Sequence, residues 1–194
     1  MDGTLTHGIH DFEAIRKALG LEPGAMILET IDNMPAAEAR QMHEKLFELE
    51  KELALQATPQ PGAQELLAAL KQRGCQLGVL TRNSEELAEI TLGAVGLLGY
   101  FERADIIGRE RCAPKPDPAG AVLLMQKWGA RPENTIVVGD YLFDLQVGRA
   151  AGVCTVHFDV NGRFQWPEET DIQVTRLSDV LSCLEHSVAC QADS

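Results

Sequence analysis

A chain of 194 residues, 45% apolar and 24% charged, is long enough for one well-buried α/β core with a small accessory module and too apolar for a disordered protein. Its 17 Lys and Arg face 29 Asp and Glu, a formal charge of −12. That excess of acid argues against a nucleic-acid duplex or an anionic membrane as main partner, because both need a basic surface, whereas a small anionic metabolite needs only a few local cations.

From Asp11 the pattern is helical. Asp11 can cap a helix that ends near Gly20, and Pro23-Gly24 breaks the chain. After Pro35 a long helix is expected, because Ala39, Met42, Leu46, Leu49 and Leu53 advance by three and four residues and so share one face. Thr58-Pro59-Gln60-Pro61-Gly62 then forms a linker. Residues 9–57 form a helical module on this reading, and 1–8 with 58–194 form the core.

Beyond the linker, helices and apolar strands alternate. The pattern predicts a helix over Ala63–Arg73 closed by Gly74, a strand over Gln76–Leu80, and a helix from Ser84 to about Val95. A brief strand at Asp105–Ile107 precedes a helix that Asp117-Pro118 caps and that runs to Gly129. Thr135–Val138 is a β-branched strand, Phe143–Ala151 a helix, Cys154–His157 a strand, Ile172–Val174 a last strand and Ser178–Ser187 a last helix. Such alternation implies a parallel sheet with helices on both faces, a Rossmann-like three-layer α/β/α core whose ligands bind at the carboxyl ends of the strands.

Four clusters stand at such strand ends. Asp2-Gly3-Thr4-Leu5-Thr6 contains a sharp turn, and by itself it is also an ordinary Asp-Gly turn. Thr81-Arg82-Asn83-Ser84 offers a hydroxyl, a carboxamide and free amides at a helix start, which suits a phosphate or plain helix capping. In Ala113-Pro114-Lys115-Pro116 the flanking prolines fix the direction of Lys115, whose ammonium suits a phosphoryl oxygen or a carboxylate and is equally at home in a solvated loop. In Gly139-Asp140-Tyr141-Leu142-Phe143-Asp144, two carboxylates four residues apart can face one point, as oxygen ligands for Mg²⁺ do.

Taken in order, Asp-Gly-Thr, strand-Thr, Pro-Lys-Pro and strand-Gly-Asp-x-x-x-Asp resemble the four-part signature of the haloacid dehalogenase superfamily, over nearly the whole chain. The helical module between the first two clusters resembles the inserted cap of its phosphoglycolate phosphatase-like branch. Cap insertion after the first strand is what that resemblance implies for the architecture. The family's first cluster is Asp-x-Asp-Gly-Thr, with a nucleophilic aspartate followed by an acid–base aspartate. Asp2 matches the second, because it precedes Gly3-Thr4; matching it to the first would require Gly-Thr where Leu5-Thr6 stand.

The resemblance implies that Asp2 is the acid–base and offers its carbonyl to the metal. It implies that Thr81 binds the phosphoryl group, with Asn83 and Arg82 as candidate helpers, and that Lys115 neutralises charge. Asp140 is implied as a ligand of Mg²⁺, and Asp144 as a ligand or an orienter of its water. The nucleophile, and the central strand that carries it, are expected just upstream of Met1.

The expected activity is Mg²⁺-dependent hydrolysis of a small-molecule phosphate monoester, phosphoglycolate- or sugar-phosphate-like, through an aspartyl-phosphate. The alternatives are a phosphomutase on the same scaffold and a catalytically silent module that holds phosphate or metal. The five cysteines (Cys75, Cys112, Cys154, Cys183, Cys190) lack CxxC spacing and suit a reduced, cytoplasmic protein. No apolar run approaches the ~18 residues of a membrane span. His7 and His10 are expected to be solvated linker residues, Trp128 and Trp166 carry no readable signal, and monomer and homodimer are equally open.

Overall fold

The computed structural model describes residues 1–8 and 12–184. The expected cap Asp11, together with His10, Cys190 and the final turn of the expected last helix, lies outside the described residues. Helices α1 (Phe12–Leu19), α2 (Ile27–Asp32) and α3 (Ala36–Leu55) come first. They share an apolar cluster of their own, in which Ile15, Leu19, Ile31 and Leu46 are buried and Ala39, Met42, Leu49 and Leu53 pack against them. The α3 stripe is thus the inner face of this module. The short helix α2 has no counterpart in the expected pattern, because six residues are too few to display a helical period.

The remaining elements are α4 (Ala63–Gln72), β1 (Val79–Leu80), α5 (Glu85–Ala94), β2 (Ile106–Ile107), α6 (Ala119–Trp128), β3 (Ile136–Gly139), α7 (Leu142–Ala151), β4 (Cys154–Phe158) and β5 (Ile172–Val174). A final helix, α8, covers 178–184. All strand pairs are parallel: β1 with β2, β3 with β4, and β4 with β5. Parallel neighbours require crossovers; α5 lies on the one from β1 to β2 and α7 on the one from β3 to β4, and the segment 159–171 joins β4 to β5. Local chemistry sets the helix ends. The Ser84 hydroxyl accepts from the Leu87 N–H at 3.1 Å, and the Asp117 carboxylate accepts from the Ala119 N–H at 2.8 Å.

One apolar core spans both sheets, with Leu92, Leu97, Ile106 and Leu177 fully buried at 0% exposure. Each such side chain stabilises the fold by about 1.5–3 kcal/mol. The strand expected at Gln76–Leu80 is paired only over Val79–Leu80. Among the described residues β1 pairs only with β2, and β3 only with β4. A cavity of about 500 Å³ is lined by both β1 and β3. Its walls include Met1, Leu66, Leu67, Val79, Leu124 and Val138, and Thr4, Lys115 and Asp144 also line it. No described helix is long and apolar enough to cross a membrane.

Candidate active site

The loop of residues 2–6 folds back on itself through Met1, whose carbonyl accepts from the Leu5 N–H at 2.8 Å. Gly3 adopts a left-handed φ of +81°, a conformation that glycine reaches at little cost. Its backbone lies so close to the loop between β3 and α7 that a Cβ at this position would stand 2.1 Å from Asp140 Oδ2. The turn therefore brings two sequence-distant clusters into contact, and the Thr4 hydroxyl donates to Asp140 Oδ1 at 2.6 Å.

Asp2 is held from two sides. Its Oδ1 accepts from the Thr6 hydroxyl at 3.2 Å, and its Oδ2 accepts from Asn83 Nδ2 at 3.0 Å. Thr81 is buried, its amide donates to the Ile107 carbonyl at 3.0 Å, and its hydroxyl oxygen accepts from the Asn83 N–H at 3.1 Å. That arrangement leaves the Thr81 hydroxyl proton to donate elsewhere. Arg82 turns its guanidinium over the Phe143 ring, 5.3 Å from the centroid.

Lys115 and Asp144 form a close ion pair, with side chains only 13% and 11% exposed. The second Asp144 oxygen accepts from the Tyr141 N–H at 3.2 Å. Gly139 makes room for this carboxylate, since a Cβ there would meet Asp144 Cβ at 2.1 Å. Burial pushes the Asp140 carboxyl above its ordinary range and the nearby Asp144 adds to the rise, against the opposing pull of the Thr4 hydroxyl. A buried carboxylate of this kind gains from a neighbouring cation.

The family profile described as haloacid dehalogenase-like hydrolase matches residues 1–152. The chain belongs to the haloacid dehalogenase-like hydrolases. Among relatives of this hydrolase, the uncharacterized hydrolase YOR131C of Saccharomyces cerevisiae is 31% identical over 194 residues, covering 96% of this chain and 88% of its own. The N-acetylmuramic acid 6-phosphate phosphatase of Pseudomonas aeruginosa is 31% identical over 179 residues, 80% of this chain and 77% of its own. A crystal structure described as a predicted phosphoglycolate phosphatase from Haemophilus somnus superposes with a TM-score of 0.76, at 20% identity and 95% coverage of both chains. That likeness shows that the hydrolase shares the parallel α/β fold.

The sequence-derived residues fall into three bonded sets, Asp2 with Asn83 and Thr81, Asp140 with Thr4, and Lys115 with Asp144, which tie their loops together beside the ends of β1 and β3. Among the described residues no group of three or more His, Cys, Asp and Glu side chains is arranged to hold a metal. The available donors are oxygens, the Asp140 carboxylate and loop carbonyls such as that of Asp2, and they fit an ion that keeps several waters and takes few protein ligands. Sequence reasoning missed the roles of Thr4 and Phe143. Of these, only Thr4 carried a local signal, as the hydroxyl next to the Asp-Gly turn. His7 is exposed, as expected of a linker residue, yet it borders the cavity that Gln60 and His157 line.

Proposed function

We propose that this hydrolase is a Mg²⁺-dependent phosphatase acting on a small-molecule phosphate monoester through an aspartyl-phosphate. The observation that carries the reading is the bridging of four distant loops: Asn83 holds Asp2 across 81 positions, Thr4 holds Asp140 across 136 and Lys115 holds Asp144 across 29. Structural helix capping does not require side chains of separate loops to bond one another. The phosphatase names among the relatives support the reaction class, and the oxygen-only donor set supports Mg²⁺.

In this reading Asp2 gives a proton from its carboxyl to the departing ester oxygen and later takes one from water. Thr6 and Asn83 fix its orientation. The Thr81 hydroxyl donates to a phosphoryl oxygen, and Lys115 offsets the charge of the phosphoryl group while Asp144 fixes its ammonium. Asp140 and the Asp2 carbonyl would hold Mg²⁺, which when bound neutralises phosphoryl oxygens and sets their positions. The nucleophilic carboxylate enters on a strand seated in the cavity between β1 and β3. Support for that seat comes from its apolar walls, from the edges of β1 and β3 opposite β2 and β4, which are unpaired among the described residues, and from Lys115 and Asp144 lining the same cavity.

Phosphate release from phenyl phosphate, with Mg²⁺ and with EDTA, tests the proposal on this chain and on the same chain preceded by its native upstream residues. Metal-dependent release by the longer protein alone is the expected result. Equal release by residues 1–194 would place the nucleophile inside this chain. Absence of release from both would favour a silent phosphate-binding module, and sugar-phosphate isomerisation without release would favour a mutase.

A further inference from the structure

The helical module and the core meet along α3, which packs against α5. A cleft of about 700 Å³ opens beside that contact. Glu44 and Glu48 line it from α3 and Glu86 and Glu110 from the core, so both walls carry carboxylates. Among the described residues that line it, Arg109 is the only lysine or arginine. Its Nη1 stands 4.0 Å from Oε2 of Glu50 on α3, and the two side chains are 25% and 12% exposed. An ion pair so sheltered is screened less by salt than one at the open surface. Without the guanidinium, an acidic α3 would face an acidic core edge, and like charges drive such walls apart.

Arg109 is fastened to the candidate site as well. Its N–H donates to the Asn83 carbonyl at 3.1 Å, and Asn83 Nδ2 donates to Asp2 Oδ2 at 3.0 Å. The loop around Arg109 is bonded to the start of α5 at several points. The Gly108 N–H donates to Glu85 Oε1 at 3.4 Å, the Glu85 N–H donates to Glu110 Oε2 at 3.2 Å, and Arg111 grips the Glu85 carboxylate with two contacts of 2.6 Å. Gly108 lies so close to this turn that a Cβ on it would stand 2.5 Å from the Glu85 nitrogen. Residues 83–85 and 108–111 are thus one bonded unit. Through Arg109 and Asn83, an unbroken chain of contacts joins Glu50 of the helical module to Asp2.

We infer that Arg109 is a positioning residue: its pair with Glu50 holds the helical module on the core and fixes the turn from which Asn83 orients Asp2. The inference rests on the phosphatase reading above and deepens it. Arg109 acts through Asn83, so its loss slows the acid–base step and leaves ester binding nearly as it was. The pair is a single contact between charges rather than a two-pronged hydrogen-bonded one, so a lysine ammonium at the same position serves the same purpose.

Two measurements on the chain preceded by its native upstream residues test this: phosphate release from phenyl phosphate with Mg²⁺, and amide hydrogen exchange along α3. The variants are Arg109→Met, Glu50→Gln, Asn83→Ala and their pairwise combinations. Arg109→Lys is the rescue, and Glu133→Gln, which breaks an exposed pair with Arg131 at 3.9 Å, is the control. Arg109→Met and Glu50→Gln should each lower kcat about fivefold with KM little changed, and each should quicken exchange along α3. Their combination should lose no more than either alone, and neither should add to the loss in Asn83→Ala, because members of one chain of contacts are not additive. Arg109→Lys should recover most of kcat, and Glu133→Gln should leave it unchanged. Losses that multiply, or α3 exchange as slow in Arg109→Met as in the parent, would overturn the inference while hydrolysis by the parent keeps the phosphatase reading. A parent that hydrolyses no ester would overturn that reading instead; faster α3 exchange in both Arg109→Met and Glu50→Gln would still uphold the pairing.

Discussion

Gly3→Ala is the substitution whose cost can be separated into parts. Gly3 and Gly152 both have left-handed backbones, with φ of +81° and +73°. A Cβ on Gly152 meets nothing within 4 Å, so Gly152→Ala pays only for the conformation, about 1–2 kcal/mol. A Cβ on Gly3 would stand 2.1 Å from Asp140 Oδ2 and 2.5 Å from its Cγ, so the carboxylate must rotate away. Rotation breaks the Thr4–Asp140 hydrogen bond, a bond to a charged acceptor that contributes about 1.5–3 kcal/mol. The sum for Gly3→Ala is about 2.5–5 kcal/mol, a large share of a typical total stability of about 5–15 kcal/mol. Urea unfolding of the two variants beside the parent measures the difference directly, since neither substitution changes the slope expected from exposed area. Thr4→Val should reproduce the hydrogen-bond part alone. If Gly3→Ala lost no more than Gly152→Ala, the close approach of the turn to Asp140 would be wrong, and with it the bridge between the first and fourth clusters.

Removing Lys115 as Lys115→Met strands the largely buried Asp144 carboxylate and should destabilise the protein by about 3–5 kcal/mol in urea unfolding; a loss under about 1 kcal/mol would mean that the pair is effectively solvated. Asn83→Ala removes one of the two hydrogen bonds that orient Asp2 and should lower kcat by about tenfold with KM little changed. An effect confined to KM would show that Asn83 does not act through Asp2. Acid should loosen the region around β4. Burial raises Asp159, but the N–H groups of Asn161, Phe164 and Arg163 outweigh it and hold the carboxyl below its ordinary value. At Asp171 burial is likewise outweighed, by Thr155 and Arg149. A lowered folded pKa means stability that is present above the unfolded value and lost as pH falls through the folded one. Melting temperature should therefore fall below the ordinary carboxylate range, and Asp159→Asn with Asp171→Asn should flatten that fall; an equally steep fall in the double variant would refute the assignment.

The elements were legible wherever a local rule acts alone. The α3 stripe, the β-branched run before Gly139, the Ser84 and Asp117 caps and the Ile172–Val174 strand all follow from side-chain period and backbone chemistry within a few residues, which is why their positions agree with the structure. Two of the candidate site residues stand out for a related reason. Thr81 and Asp140 directly follow β1 and β3, and a parallel α/β fold sends such ends to one side.

Distances between clusters were decided by the tertiary structure. The sequence contained Gly3, Thr4 and Asp140 but not their contact, and it contained Lys115 and Asp144 without showing that each neutralises the other. Glu50 and Arg109 gave no signal, because a helix glutamate and a loop arginine acquire meaning only when the fold sets them 4.0 Å apart between the helical module and the core. Period and capping are properties of neighbours in the chain, whereas burial, pairing and cavity shape depend on which distant segments the core brings together.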